Sequence, residues 1–102
     1  MSSRLDLHED LCTILGSRNV YFQPPPSVRM QYPAIVYSLD DINFSHANDS
    51  KYRKVKRYKL TYIDVDPDNE MVEKLLTTLS FCSFDRHFKS DNLNHYTLTI
   101  YI

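Results

Sequence analysis

The chain of 102 residues predicts an α+β fold: an antiparallel β-sheet with two α-helices packed on one face, in helix–strands–helix–strand order, with a long β-hairpin. Three observations predict it. Apolar residues recur at helical spacing in two separate places. Elsewhere, tyrosine, leucine and isoleucine alternate with polar residues, as half-buried strands require. Polar segments rich in turn-forming residues separate the alternating runs.

The first helix rests on Leu7, Leu11, Ile14 and Leu15, spaced i, i+4, i+7, i+8. It begins near Ser3 or Asp6. Gly16, the only glycine, follows where a left-handed cap residue is wanted. Residues 17–32 are less regular. Val20, Tyr21 and Phe22 suit a short strand, and Pro24, Pro25 and Pro26 then impose extended backbone without amide donors. That proline run is either a rigid arm reaching a neighbouring molecule or a connection that resists edge pairing.

Residues 34–40 predict a strand with Ile35, Tyr37 and Leu39 on one face and Ser38 and Asp40 on the other. Val36 is apolar on that second face. Residues 41–50 are polar and turn-rich, and predict a long hairpin loop or an extended hairpin tip. In the next strand Tyr58, Leu60 and Tyr62 alternate with Arg57, Lys59 and Thr61, giving one aromatic and apolar face and one basic, polar face.

Asp66 and Pro67 are placed to be the N-cap and first residue of the second helix, and Asp68 and Glu70 add negative charge at its positive end. Val72, Leu75, Leu76 and Leu79 form its apolar stripe. Residues 80–88 carry Phe81, Phe84 and Phe88, and a turn follows at 89–92. The last strand sets Tyr96, Leu98, Ile100 and Ile102 against His95, Thr97, Thr99 and Tyr101.

Length and composition predict a single domain over residues 1–102. Charged residues make up 25% but the net charge is only −1, so any basic surface is local. Two cysteines, Cys12 and Cys82, predict reduced, packed thiols rather than a disulfide framework. The acidic start predicts no signal peptide, and no apolar run predicts a membrane helix. The expectation is a soluble product made in a cytoplasm. With one glycine, glycine-rich phosphate loops are excluded. Eight tyrosines and no tryptophan suit an interface or the filling of a small sheet.

No catalytic, cofactor or metal site is expected. Cys82 beside Asp85, Arg86 and His87 offers nucleophile and base types, but with no glycine turn or oxyanion hole. His8 and Cys12 at i, i+4 match no compact zinc spacing. The strongest charge signal is basic: Lys51, Arg53, Lys54, Lys56, Arg57 and Lys59 within residues 51–59. Asp40, Asp41, Asp49, Asp64, Asp66 and Asp68 flank it. Three uses are open: a protein interface, a solvated sheet face, or contact with phosphates. As interface residues the sequence nominates Lys51, Arg53, Arg57, Lys59, Pro24, Pro25, Pro26, Asp40 and Asp41. Residues 24–31 and 41–51 are expected to order on assembly.

NVYFQPPPSVRMQYPAIVYSLDDIN, IDVDPDNEMVEKL and FCSFDRHFKSDNLNHYTLTIYI are similar to a minor tail protein of tailed bacteriophages and prophages of Gram-positive bacteria. The likeness covers nearly the whole chain and rests on overall pattern, not on catalytic motifs. The order of elements also resembles the lambda-type tail terminator family. This resemblance implies a virion structural protein, not an enzyme. It implies a homo-oligomeric, hexameric ring that caps the tail tube. The implied partners are the major tail-tube protein and a head-connector or neck protein. Genomic DNA would pass through the lumen without specific binding, and no membrane would be engaged. The implied location is the tail or neck of the virion, after synthesis in the bacterial host cytoplasm. A head-closure or connector adaptor protein, and a small nucleic-acid-binding protein, are the competing readings.

Overall fold

The computed structural model describes residues 4–46, 52–79 and 81–101, with side chains described outside 43–46 and 52–55. The hairpin tip at 47–51 with Lys51, the helix start at Ser3, the facing of Ile102 and the side chains of Arg53 and Lys54 lie outside the described residues.

The chain forms α1 (Arg4–Leu15), β1 (Val20–Phe22), β2 (Ala34–His46), β3 (Tyr52–Asp64), α2 (Met71–Thr78), β4 (Cys82–Ser90) and β5 (Leu93–Tyr101). The strands make one five-stranded sheet in the order β1-β2-β3-β5-β4. The α+β class stands, but the sheet is mixed rather than antiparallel. β1 runs parallel to β2, with Val20 opposite Ile35 and Phe22 opposite Tyr37. The reason is the connection. Residues 23–33 are too long for a hairpin and return the chain to the start of its neighbour, as parallel pairing demands. Gln23 ends β1 at φ 44. Its amide donates to the Tyr37 carbonyl, and its side-chain oxygen accepts from the Leu39 amide, extending the ladder past the strand.

Alternation along the strands builds one apolar face. Register aligns Ile35, Tyr62 and Tyr96, then Tyr37, Leu60 and Leu98, then Leu39, Tyr58 and Ile100. Leu7, Leu11, Cys12 and Ile14 of α1 and Leu75 of α2 join that face in one buried cluster. Within it, Phe22, Tyr37 and Tyr58 pack as an aromatic row, with ring centroids 4.9 and 6.1 Å apart. The buried Tyr37 hydroxyl meets His8 Nδ1 at 2.7 Å and accepts from Arg4 Nη1 at 3.2 Å. Lys74 of α2 donates to the Ile14 carbonyl at 3.0 Å, supplying a cation to the end of α1, which carries none of its own.

α1 stops where expected: Gly16 has φ +80 and its amide donates to the Cys12 carbonyl. A Cβ at Gly16 would meet nothing within 4 Å, so Gly16→Ala tests backbone strain alone. We expect a loss of about 1 kcal/mol in urea denaturation, and less for Gly16→Asn.

α2 starts later than its sequence implies. Asp66 accepts from the Asp68 amide, closing a turn at Pro67 and Asp68, and so does not cap a helix there. The first helical residue is Met71, whose amide donates to Asn69 Oδ1. The Glu70 side chain makes no capping bond.

Candidate assembly interface

The sheet face without helices carries the odd-numbered residues of β3, including Arg57, Lys59 and Thr61. Two irregularities shape it. Asp40 is an extra residue in β2, where the register jumps from Leu39 opposite Tyr58 to Asp41 opposite Arg57. Asp85 is an extra residue in β4, where it jumps from Phe84 opposite Leu98 to Arg86 opposite Thr97. Such bulges re-aim a side chain, and here each delivers a carboxylate to the basic row.

Arg57 Nε donates to Asp40 Oδ2 at 2.7 Å, and its Nη2 lies 3.9 Å from Asp41 Oδ2. The hydrogen bond that the guanidinium donates to the Asp40 carboxylate holds it above its ordinary pKa. Lys59 Nζ lies 3.5 Å from Asp85 Oδ2, which also accepts from Thr99 Oγ1 at 2.7 Å. The structure thus brings Arg57, Lys59, Asp40 and Asp41 together and adds Asp85. Sequence reasoning had weighed Asp85 only beside His87; no local pattern announces a bulge. Arg86 and Phe88 continue this face, the guanidinium 4.9 Å from the ring centre and the ring stacked on His95.

Pro24, Pro25 and Pro26 lie apart from this row, in the link between β1 and β2. The Val28 amide donates to the Pro25 carbonyl there. Tyr21, on β1, accepts at its hydroxyl from the Gln31 amide, tying the far end of the same link.

Beyond the body, β2 and β3 continue as a two-stranded ribbon. β5 leaves β3 at Arg57 and β1 leaves β2 at Tyr37. Five further pairs, from Ile42 opposite Lys56 to His46 opposite Tyr52, have only each other among the described residues. They add about 17 Å of length. The extents are 52 × 29 × 23 Å and the radius of gyration 14.8 Å, against about 13 Å for a compact domain of this length. Leu39 and Ile42 are exposed at the ribbon's base, on the side where the helices pack.

At the other end of β3, side chains between Asp66 and Thr77 border an open groove of about 770 Å³ beside α2. Tyr62 and Met71 line it with Asp66, Asp68, Glu70 and Glu73. The sequence had placed this acidity at a helix start, without the groove.

The chemical candidates are drawn apart. His87 Nε2 sits 3.0 Å from Asn94 Oδ1, and its ring stacks on Tyr96. Burial, reinforced by the Asp85 charge, pushes the Cys82 thiol up to about 11. Cys82 is expected to react with a disulfide reagent at neutral pH on the order of a hundredfold slower than a free thiol. The rate should recover in urea, which an absorbance time course measures. His8 is engaged with Tyr37, and Cys12 is buried beneath α1. Among the described residues no three His, Cys, Asp or Glu side chains gather as a metal site. None of the described helices is long and apolar enough to cross a membrane. Compared with known proteins, the chain matches no family model and no curated sequence.

Proposed function

We propose that the protein is a structural subunit of a tailed-phage virion: a tail terminator that closes into a ring, caps the tail tube and joins it to the head connector. The observation that carries this reading is the ribbon of five β-pairs, which extends past every other strand of the sheet. A two-stranded ribbon is marginal in water by itself. A subunit that keeps one is built to lay it against a neighbour. The α+β layout with helices on one face and the likeness along nearly the whole chain point the same way. Closed rings need head-to-tail contacts between unlike surfaces, and the two ends of this molecule are unlike. The paired state of Arg57 and Lys59 argues against a phosphate-binding face, because both cations are already covered by carboxylates.

The test is the native mass of the protein by light scattering, alone and mixed with tail-tube protein from its own phage. A closed ring, or rings capping short tubes, is expected. A protein that ignores tubes but binds the head connector is an adaptor instead. DNA binding that falls steeply with salt and weakens when Arg57 and Lys59 are replaced would overturn the structural reading.

A further inference from the structure

The sheet has two outer strands, β1 and β4, and they are finished differently. β1 is three residues long and is followed, after Gln23, by Pro24, Pro25 and Pro26, which offer no amide donors. β4 is nine residues long and holds no proline. Among the described residues no strand pairs with its outer edge. Along it only Cys82 and Phe88 are half-buried; the others are exposed, Phe84 by 44%.

The bulge at Asp85 decides which backbone groups that edge presents. Asp91 and Asn92, at φ 53 and 64, make a two-residue turn, so Ser90 and Leu93 form the first hydrogen-bonded pair of the hairpin. Antiparallel ladders alternate, so Phe88 and Arg86 also turn their backbone toward β5, while Lys89 and His87 turn theirs outward. At the other end of β4 the Tyr101 amide donates to the Phe81 carbonyl at 3.1 Å. Phe81 and Ser83 therefore turn inward, and Cys82 and Phe84 outward. The outward set is Cys82, Phe84, His87 and Lys89, and the bulge widens its middle step.

This set is self-complementary. In an antiparallel pair the outward residues of two strands must face each other. One register matches all four: Phe84 of each copy opposite His87 of the other, and Cys82 opposite Lys89. Side-chain facing agrees. These four are in register with Leu98, Tyr96, Ile100 and Asn94 of β5, on the helix-bearing side. Ser83, Arg86 and Phe88 take the other side, where Asp85 reaches Lys59. The same register sets Asp85 of each copy opposite Arg86 of the other, on one face. Among the described side chains Arg86 has no carboxylate of its own. Phe84 then lies beside an imidazole ring rather than water.

We infer that two copies of the chain pair through β4, antiparallel and about a two-fold axis, in the register that sets Phe84 against His87. The contact uses one patch on both molecules and closes at two copies. It goes beyond the ring reading, which needs unlike surfaces, and does not rest on it. A bulge and a lysine commonly spoil an edge for pairing; here the bulge makes the edge match its own copy.

The test uses the full chain. Native mass by light scattering should rise with concentration to that of a pair. Amide exchange at Phe84 and His87 should slow roughly tenfold or more over the same range. The Phe88 amide, turned toward β5 in either state, is the internal reference. Asp85→Arg and Arg86→Asp each set like charges against each other, and a retained melting transition checks that each is folded. Each should raise the dissociation constant about tenfold or more. Mixed in equal amounts the two should pair again, because every contact then joins opposite charges. Lys89→Pro removes an outward amide that the hairpin does not use, and should weaken pairing about tenfold with the fold retained. Exchange at Phe84 and His87 that ignores concentration, a mixture that stays monomeric, or unchanged pairing in Lys89→Pro would overturn the inference. Rings that cap tubes while these amides stay open leave the tail reading standing and end this one. Pairs that form through β4 but ignore tubes do the reverse.

Discussion

Leu60→Ala is expected to lower stability by about 3 kcal/mol and to drop the melting temperature by roughly 12–24 °C. Leu60 is fully buried on β3, between Tyr37 of β2 and Leu98 of β5, in the core cluster to which both helices contribute. Its flanking strands are held in the sheet on both sides and cannot move in to fill the space, so the cavity adds to the lost transfer energy. A loss of this size is a large share of the ~5–15 kcal/mol that holds a domain folded. Ile42→Ala, at an exposed position on the ribbon, is the control and should change stability by less than about 0.5 kcal/mol. Urea titrations of both variants decide the matter. Equal losses would mean that the ribbon packs on something inside the chain.

The second large effect is at Asp64. This carboxylate is buried, accepts from the Tyr62 hydroxyl at 2.6 Å and accepts from the Asp66 amide at 3.1 Å. Asp64→Ala strands a buried phenol and releases the turn that leads into α2, and should cost about 2 kcal/mol or more. Tyr62→Phe removes only the donor and should cost about 1 kcal/mol. The pair also sets a pH dependence. Burial first, then the bond to Asp64, raises the Tyr62 pKa well above its ordinary value. Above about pH 10 the unfolded chain gives up this proton while the folded chain keeps it. The unfolded state then binds fewer protons, so stability falls as pH rises. The contribution is complete below that pH. Urea titrations at rising alkaline pH should show the decline, and a shallower one in Tyr62→Phe. Some slope should remain, since burial also raises Tyr37.

Much of the fold is legible in the sequence wherever the signal is local. The stripe ending in Gly16, the alternation of β5 and the two faces of β3 are periodic over several residues, and period fixes facing. The turn at Asp91 and Asn92 is legible for a similar reason. Both residues take φ above +50, the conformation that Asp and Asn tolerate best among residues with side chains. What resists reading depends on partners far along the chain. The parallel pairing of β1 is set by the path of residues 23–33, which has no periodicity. The late start of α2 turns on a competition between two carboxylate-amide bonds of similar strength, Asp66 to Asp68 and the rival helix cap.

The candidate interface shows the same division. The basic row is plain in the sequence because its charges are adjacent. Its neutralisation is legible only in part: Asp40 and Asp41 flank it in the sequence and meet Arg57 from the partner strand, but the bulge that aims Asp40, and the one that brings Asp85 to Lys59, leave no local pattern. The second bulge also places Phe84 and Phe88 on opposite faces, although their even spacing would put them together. The groove beside α2 is equally hidden, being made by a turn where a longer helix was expected.

The placement of β5 has a consequence for synthesis. It is made after the other four described strands, yet it lies between β3 and β4. Until residues 93–101 emerge from the ribosome, β4 has no strand beside it and the core lacks Leu98 and Ile100. A nascent chain translated through β4 therefore holds an incomplete sheet with the inner edge of β3 open. Folding must wait for the final strand. A growing chain then presents no finished sheet to others on the same messenger until translation has passed β5.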